Sequence, residues 1–315
     1  GTVTEAERVL SDALATLKRE CESGAAKPHG ASEPRPPKSS VVQASRDWDH
    51  AVAVYQETLK ALGAEPTPAR LPLPRPRFAA TEFSCYSQTT EDGILLDIFS
   101  KIGTRTKRAV EVCSGVGSEN NLANLAVLHG WDTIMMDGDA GNVRAANRFF
   151  GQSGFPESFV APRYIEGFVT AENINTLIRD KGFVGEIDLF SLDMDGVDYW
   201  IWKALEVVKP RVVVVETQEL WGPHEAKTRP YDPNFVHSGI PSMGASIGAF
   251  NKLAREKGYR LVGCMKYGFN AFYILNGVGE GSFPEYDPEG CFVHHTGAWA
   301  RTIAQRRQEA QQFTW

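Results

Sequence analysis

Apolar residues recur at helical spacing early in the chain and gather into short, near-continuous runs further on. Leu10, Leu14, Leu17 and Cys21 fall on one face of a helix predicted over 4–22, with Thr4 and Glu7 at capping-box spacing. Residues 25–40 hold Pro28, Pro34, Pro36 and Pro37 among Lys, Ser and Gly, and read as a linker. A second helix is predicted over 45–63, with Trp48, Val52, Tyr55, Leu59 and Leu62 on one stripe. Prolines 66, 68, 72, 74 and 76 then predict a stiff, extended connector. Residues 1–80 read as a helical, proline-rich extension, its apolar faces to be covered by the rest of the chain or by a partner.

The pattern changes from about residue 87. Thr90 precedes a helix that buries Ile94, Leu95, Ile98, Phe99 and Ile102. Strands are predicted at 108–114, 132–137, 163–168, 187–193 and 211–217, with helices near 118–129, 140–152, 171–181 and 198–208. This alternation implies an α/β domain over 81–290, a mostly parallel sheet with helices on both faces. Val212–Val215 suits a strand buried on both sides. A helix at about 246–257 leads to two strands, Tyr259–Met265 and Ala271–Leu275, joined by a Gly/Asn turn as a terminal antiparallel hairpin. The tail 291–315 carries Trp299, Ile303, Arg306, Arg307 and Phe313 and reads as an amphipathic helix docking on the domain.

Composition narrows the classes. A net charge of −6 argues against a general nucleic-acid binder. No apolar run approaches the ~20 residues of a membrane helix, so an integral membrane protein is not expected. Cysteines 21, 85, 113, 264 and 291 are odd in number and lack CxxC spacing. They predict neither a disulfide framework nor a zinc site, and favour an intracellular, reducing compartment. The start at Gly1 fits an organellar protein that has lost a transit peptide, and equally a tag scar.

Glu111-Val-Cys113-Ser-Gly115-Val-Gly117 ends a predicted strand, and a helix is expected from Ser118-Glu119. Glycines there let backbone approach a ligand, and a helix N-terminus offers free N–H groups. A dinucleotide fingerprint needs a third glycine where Asn120 stands, so a NAD-linked enzyme is the weaker reading. Asp137, ending the next strand, can accept both hydroxyls of a ribose. Asp139 is the reserve, and suits a helix N-cap better. Asp193, Asp195 and Asp198 crowd the end of the fourth strand. They could orient a substrate or an amine, or hold a divalent cation with Glu216. Alternatively, Asp198 caps a helix and the others shape the turn. The long insert after Glu216 contains His224, a candidate general base or a solvated loop histidine. His237, His294 and His295 are weaker candidates. Thr170, after the third strand, lies where an adenine edge would be, or caps a helix with Asn173 behind it.

The run Tyr86-Ser-Gln88-Thr-Thr-Glu91-Asp92-Gly93, followed by Glu111–Gly117, Asp193–Trp200 and Gly258–Gly263, resembles the FkbM-type methyltransferase-like family over residues 86–276. The resemblance implies a Rossmann-like class I fold, S-adenosylmethionine as methyl donor and O-methylation of a hydroxyl. Glu111, Gly115, Gly117 and Asp137 would then touch the cofactor, and Asp193 would sit beside the transferring methyl. Cys113 stands where the family pattern has its first glycine. Asp193, Glu216 and His224 are the base candidates, and the acceptor is a small molecule or a protein. The alternative is a catalytically silent, methyltransferase-like subunit of a larger assembly, joined through residues 1–80 and 291–315.

Overall fold

The first helix runs over Val3–Gly24 (α1) and the second over Ser39–Leu62 (α2). They belong to a computed structural model that describes residues 2–24, 36–152, 154–237, 244–294 and 297–310. Gly1, Pro28, Pro34, His295, Phe313 and the Trp299 side chain lie outside the described residues. Thr2, not Thr4, starts α1: its hydroxyl accepts the Glu5 amide at 3.2 Å. Helix α2 begins earlier than predicted because Val41, Ala44 and Ser45 continue the stripe of Trp48, Ala51, Tyr55 and Leu59, all buried. Its last turn closes at Gly63, whose φ of 57° is left-handed, and Leu62 is left exposed beside it.

The remaining helices are Glu91–Ile102 (α3), Ala123–His129 (α4), Ala140–Phe150 (α5), Ile174–Asp180 (α6), Asp198–Ala204 (α7), Ile247–Lys257 (α8) and Gly297–Ala310 (α9). The strands are Arg108–Val112 (β1), Asp132–Asp137 (β2), Arg163–Glu166 (β3), Gly185–Leu192 (β4), Val208–Glu216 (β5), Tyr259–Cys264 (β6) and Asn270–Leu275 (β7). They form a seven-stranded sheet in the order β3-β2-β1-β4-β5-β7-β6. Strand β7 runs antiparallel to both β5 and β6. This is the Rossmann-like class I methyltransferase sheet, mostly parallel with a terminal antiparallel hairpin, and it matches the expected fold class.

The chain divides into two compact units, one of 1–68 with 80–167 and the other of 69–79 with 168–315. The first carries α1–α5 and β1–β3. Leu10, Leu17 and Cys21 of α1 are buried, with Leu14 half-buried, and α1 packs along α2. Burying a side chain the size of Leu17 or Tyr55 stabilises the unit by about 1.5–3 kcal/mol. Gln56 of α2 donates to the Ser100 carbonyl of α3 at 2.5 Å, and Asp49 of α2 meets His129 of α4 at 2.8 Å. The N-terminal helices are thus covered within their own unit.

The second unit carries β4–β7 and α6–α9. Asp188 of β4 accepts from Arg211 of β5 at 2.8 Å in a fully buried pair. The neighbouring partners Ile187↔Pro210 and Leu189↔Val212 put Asp188 opposite Arg211, so slipping the register would leave two charges unpaired. Helix α9 docks as expected. Its Ile303 packs on Leu220 and Trp221, and Arg306 reaches the buried Glu219 at 2.7 Å.

The cysteine reading needs correction. Cys21 pairs with Cys85, and Cys264 with Cys291, at Cα separations of 4.9 and 5.4 Å. Spacings of 64 and 27 residues carry no local signal, so only the fold brings these thiols together. Cys113 is exposed and belongs to neither disulfide.

Candidate functional site

The first unit contributes the glycine loop. Strand β1 ends at Val112, and Cys113, at φ 60°, turns the chain out of the sheet. The helix expected from Ser118 begins only at Ala123, so the loop is longer than predicted. Two side chains hold it in that form. Asn120 donates to the Ser114 carbonyl at 3.0 Å and accepts the amides of Leu122 and Ala123 at 3.2 and 2.8 Å. The residue at the missing third-glycine position therefore braces the loop leading into α4, a role the sequence reading missed. An asparagine in a glycine-bearing loop is a recognisable signal, because its side chain bonds nearby backbone in non-helical turns. Glu111 is buried and accepts the amides of Asn121 and Leu122 at 2.9 and 3.1 Å. Expected on a cofactor, its carboxylate is engaged with the loop backbone, because the late helix start leaves those amides facing it.

Gly115 and Gly117 do different work. Gly115 has φ 57° and nothing within 4 Å of the place a Cβ would take, so it borders open space. Gly117, at φ 86°, would put a Cβ 2.8 Å from the Phe150 ring and 2.9 Å from Ala146. Gly115 keeps the loop open, whereas Gly117 lets it pack on α5. Asp137, at the end of β2, accepts the Gly115 amide at 2.8 Å, the Asp139 amide at 2.8 Å and the Asn142 side chain at 3.1 Å. Asp139 caps α5 by accepting the amides of Gly141 and Asn142. Asp137 thus lies at the glycine loop, and the reserve Asp139 takes the capping role.

The second unit has an acidic turn of its own. Asp198 is buried as the first residue of α7, and its two oxygens accept the amides of Met194 and Gly196 at 2.7 and 2.9 Å. It braces the turn instead of capping the helix, and Asp195 sits there at φ 54°. Burial pushes the Asp198 carboxyl up to about 6, against the pull of those amides. Asp193, Asp195 and Glu216 each bring one oxygen within 4.8 Å of the others. Burial, then the charges of Asp193 and Asp195, hold the Glu216 carboxyl well above the usual carboxylate range.

His224 does not join this cluster. The short 3-10 turn Glu219–Trp221 buries Leu220 and Trp221 and sends the chain outward. The exposed His224 ring lies 3.2 Å from Glu289. His237, given little weight in the sequence, comes closer: its Nδ1 stands 3.8 Å from Asp195. His294 shows no link to the acidic turn among the described contacts, and His295 lies outside the described residues. Thr170 donates its amide to Asn173 at 2.8 Å and accepts the Ile174 amide with its carbonyl at 3.1 Å. It builds the turn into α6 through its backbone, not as a side-chain cap.

No protein-family model matches the chain, and no curated protein matches it. Solved structures similar to it include several methyltransferases. The methyltransferase domain of bacterial CtHen1 is 17% identical, with 58% of this chain and 96% of that one covered and a TM-score of 0.38. A methyltransferase from Methanosarcina mazei is 13% identical, with 53% and 90% covered and a TM-score of 0.37. The glycopeptide N-methyltransferase MtfA, complexed with sinefungin, is 10% identical, with 71% and 98% covered and a TM-score of 0.39. These are weak likenesses, and the fold rests on the strand order itself.

Proposed function

We propose that the chain is an S-adenosylmethionine-dependent methyltransferase of the FkbM type, transferring a methyl group to a hydroxyl of its acceptor. The observation that carries this reading is the Asp137 carboxylate held at the open side of a glycine loop that follows β1. The place a Cβ on Gly115 would take is open, which supports close approach of a ligand to the backbone there. Gly115, Gly117 and Asp137 would hold the cofactor, with Asp137 accepting from ribose hydroxyls. Glu111 and Asn120 would act through the loop they position. When bound, S-adenosylmethionine supplies an electrophilic methyl on a sulfonium.

The acidic turn supplies the proton chemistry. Asp193 is the proposed base for the acceptor hydroxyl, and a protonated Glu216 donates to it and tunes its affinity for that proton. The spacing of Asp193, Asp195 and Glu216 also suits a hard divalent cation, which would bind as Glu216 loses its proton. His224 is not used.

Cysteine pairing favours an oxidising compartment over the reducing one first expected. Calorimetry with S-adenosylmethionine and S-adenosylhomocysteine tests the function, with Mg²⁺ or EDTA present in parallel titrations. One-to-one binding of both nucleosides is expected. Absence of heat with either, in folded protein, would overturn the reading, and a response to Mg²⁺ would favour the cation.

A further inference from the structure

Gly115 is gripped at both of its peptide groups. Its amide is accepted by Asp137 at 2.8 Å, and its carbonyl accepts the Tyr164 hydroxyl of β3 at 2.7 Å. With both peptide planes fixed, the left-handed turn at Gly115 has one orientation, which sets how the loop faces the space beside it. The Tyr164 ring is itself held. It lies 6.4 Å from the Phe150 ring, and Phe150 occupies the place a Cβ on Gly117 would need. Phe150 in turn packs on Phe149 and Phe159, at 4.7 and 6.1 Å. One aromatic cluster on α5 and the chain after it thus supports both glycines, Gly117 by contact and Gly115 through Tyr164.

We infer that Tyr164 is a positioning residue for the cofactor, acting through the Gly115 carbonyl to hold the glycine loop in its binding form. This rests on the S-adenosylmethionine reading for the ligand, but not for the loop. Burial, with the charges of Glu111 and Asp137 nearby, pushes the Tyr164 phenol well above its ordinary value. The hydroxyl therefore remains a donor at every pH at which the protein would work. The hydroxyl confers order more than bulk: a phenylalanine keeps the ring packing and removes only the hydroxyl's bonds to the loop, at the Gly115 carbonyl and the Ser114 side chain.

The experiment uses the full chain and its Tyr164→Phe variant with two readouts. Amide hydrogen exchange in the ligand-free protein is expected to rise several-fold at residues 114–118 and to stay unchanged elsewhere. S-adenosylhomocysteine is expected to bind about three- to tenfold more weakly to the variant, the range for one lost neutral hydrogen bond. Equal loop exchange and equal affinity in the two proteins would overturn the inference. So would a general rise in exchange, or failure of the variant to fold, since either makes the hydroxyl a support of the whole unit. If the parent protein binds no nucleoside, the function falls, and loop exchange alone still decides the role of Tyr164.

Discussion

Asp137 accepts the amide of Gly115 across the loop that joins β1 to α4, at 2.8 Å. The acid at the end of one strand therefore organises the glycine turn at the end of its neighbour. Replacing Asp137 by alanine leaves three donors, from Gly115, Asp139 and Asn142, without their acceptor. Losing a charged acceptor in a buried place costs about 1.5–3 kcal/mol. Asp137→Ala is expected to weaken S-adenosylhomocysteine binding at least tenfold in calorimetry. Asp137→Asn, which keeps the shape and one acceptor oxygen, should lose less. Full affinity in the alanine variant would remove Asp137 from the proposed site.

The two glycines of the loop should respond differently to the same methyl group. Ala at position 117 meets Phe150 and Ala146 below 3 Å and also strains a φ of 86°. Overpacking of about 1–3 kcal/mol adds to a left-handed penalty of about 1–2 kcal/mol. Ala at position 115 carries only the second, because its Cβ meets nothing within 4 Å. Chemical denaturation should show Gly117→Ala as the more destabilised variant, while Gly115→Ala stays folded and loses nucleoside binding. Equal stabilities would contradict the packing described for Phe150.

The sheet was readable because β-branched runs such as Val212–Val215 permit little else, and turn residues bound them. Asp193 and Glu216 were readable as a pair because Asp193 follows β4, Glu216 ends β5, and β4 lies beside β5 in the sheet order. His237 was not, since it lies in an aperiodic loop whose path depends on contacts such as Phe235 on Gly196 and Arg229 on Phe235. The late start of α4 was hidden for a related reason. Helical propensity in Ser118–Asn121 is overridden by the side chains of Asn120 and Glu111, which satisfy the loop amides in a non-helical form. What covers the helices of 1–80 stayed open between the rest of the chain and a partner, because proline punctuation shows where a chain bends, not what its helices pack on.

Glu216 makes stability depend on pH in a direction that can be checked. Its folded-state value is raised, so the native protein binds this proton more tightly than the unfolded chain does. The contribution is fully present below the unfolded value, near the ordinary glutamate range, and is lost as pH rises through the folded one. Asp198, pushed up to about 6, contributes in the same direction between its ordinary value and pH 6. Glu216→Gln keeps a neutral hydrogen-bonding side chain and removes the titration. The variant should match the parent in urea denaturation at pH 4 and exceed it at pH 8. If a divalent cation occupies Asp193, Asp195 and Glu216, millimolar Mn²⁺ should raise the melting temperature of the parent at pH 8 and not that of the variant. A parent that gains stability from pH 4 to 8 more steeply than Glu216→Gln would refute the raised value.

The disulfides give the cysteines unequal reactivity. Cys21 ties the end of α1 to Cys85, just ahead of a turn whose amides at Cys85, Tyr86 and Ser87 are all accepted by the buried Asp92. Cys264 ties the end of β6 to the short 3-10 helix Pro288–Phe292. Closing loops of 64 and 27 residues limits the unfolded chain, an entropic effect of about 4 and about 3.5 kcal/mol respectively. Each disulfide lies within one unit, so its loss should act on that unit first. Under native, non-reducing conditions a maleimide should label one thiol per chain, at Cys113, and five after reduction in denaturant. Paired serine variants at Cys21 and Cys85 should melt earlier and show faster amide exchange in α1 and the 85–92 turn, with β6 and β7 unaffected. Labelling of three or more thiols in the folded, unreduced protein would mean that the pairs are not formed, and would support the reducing compartment expected from the sequence.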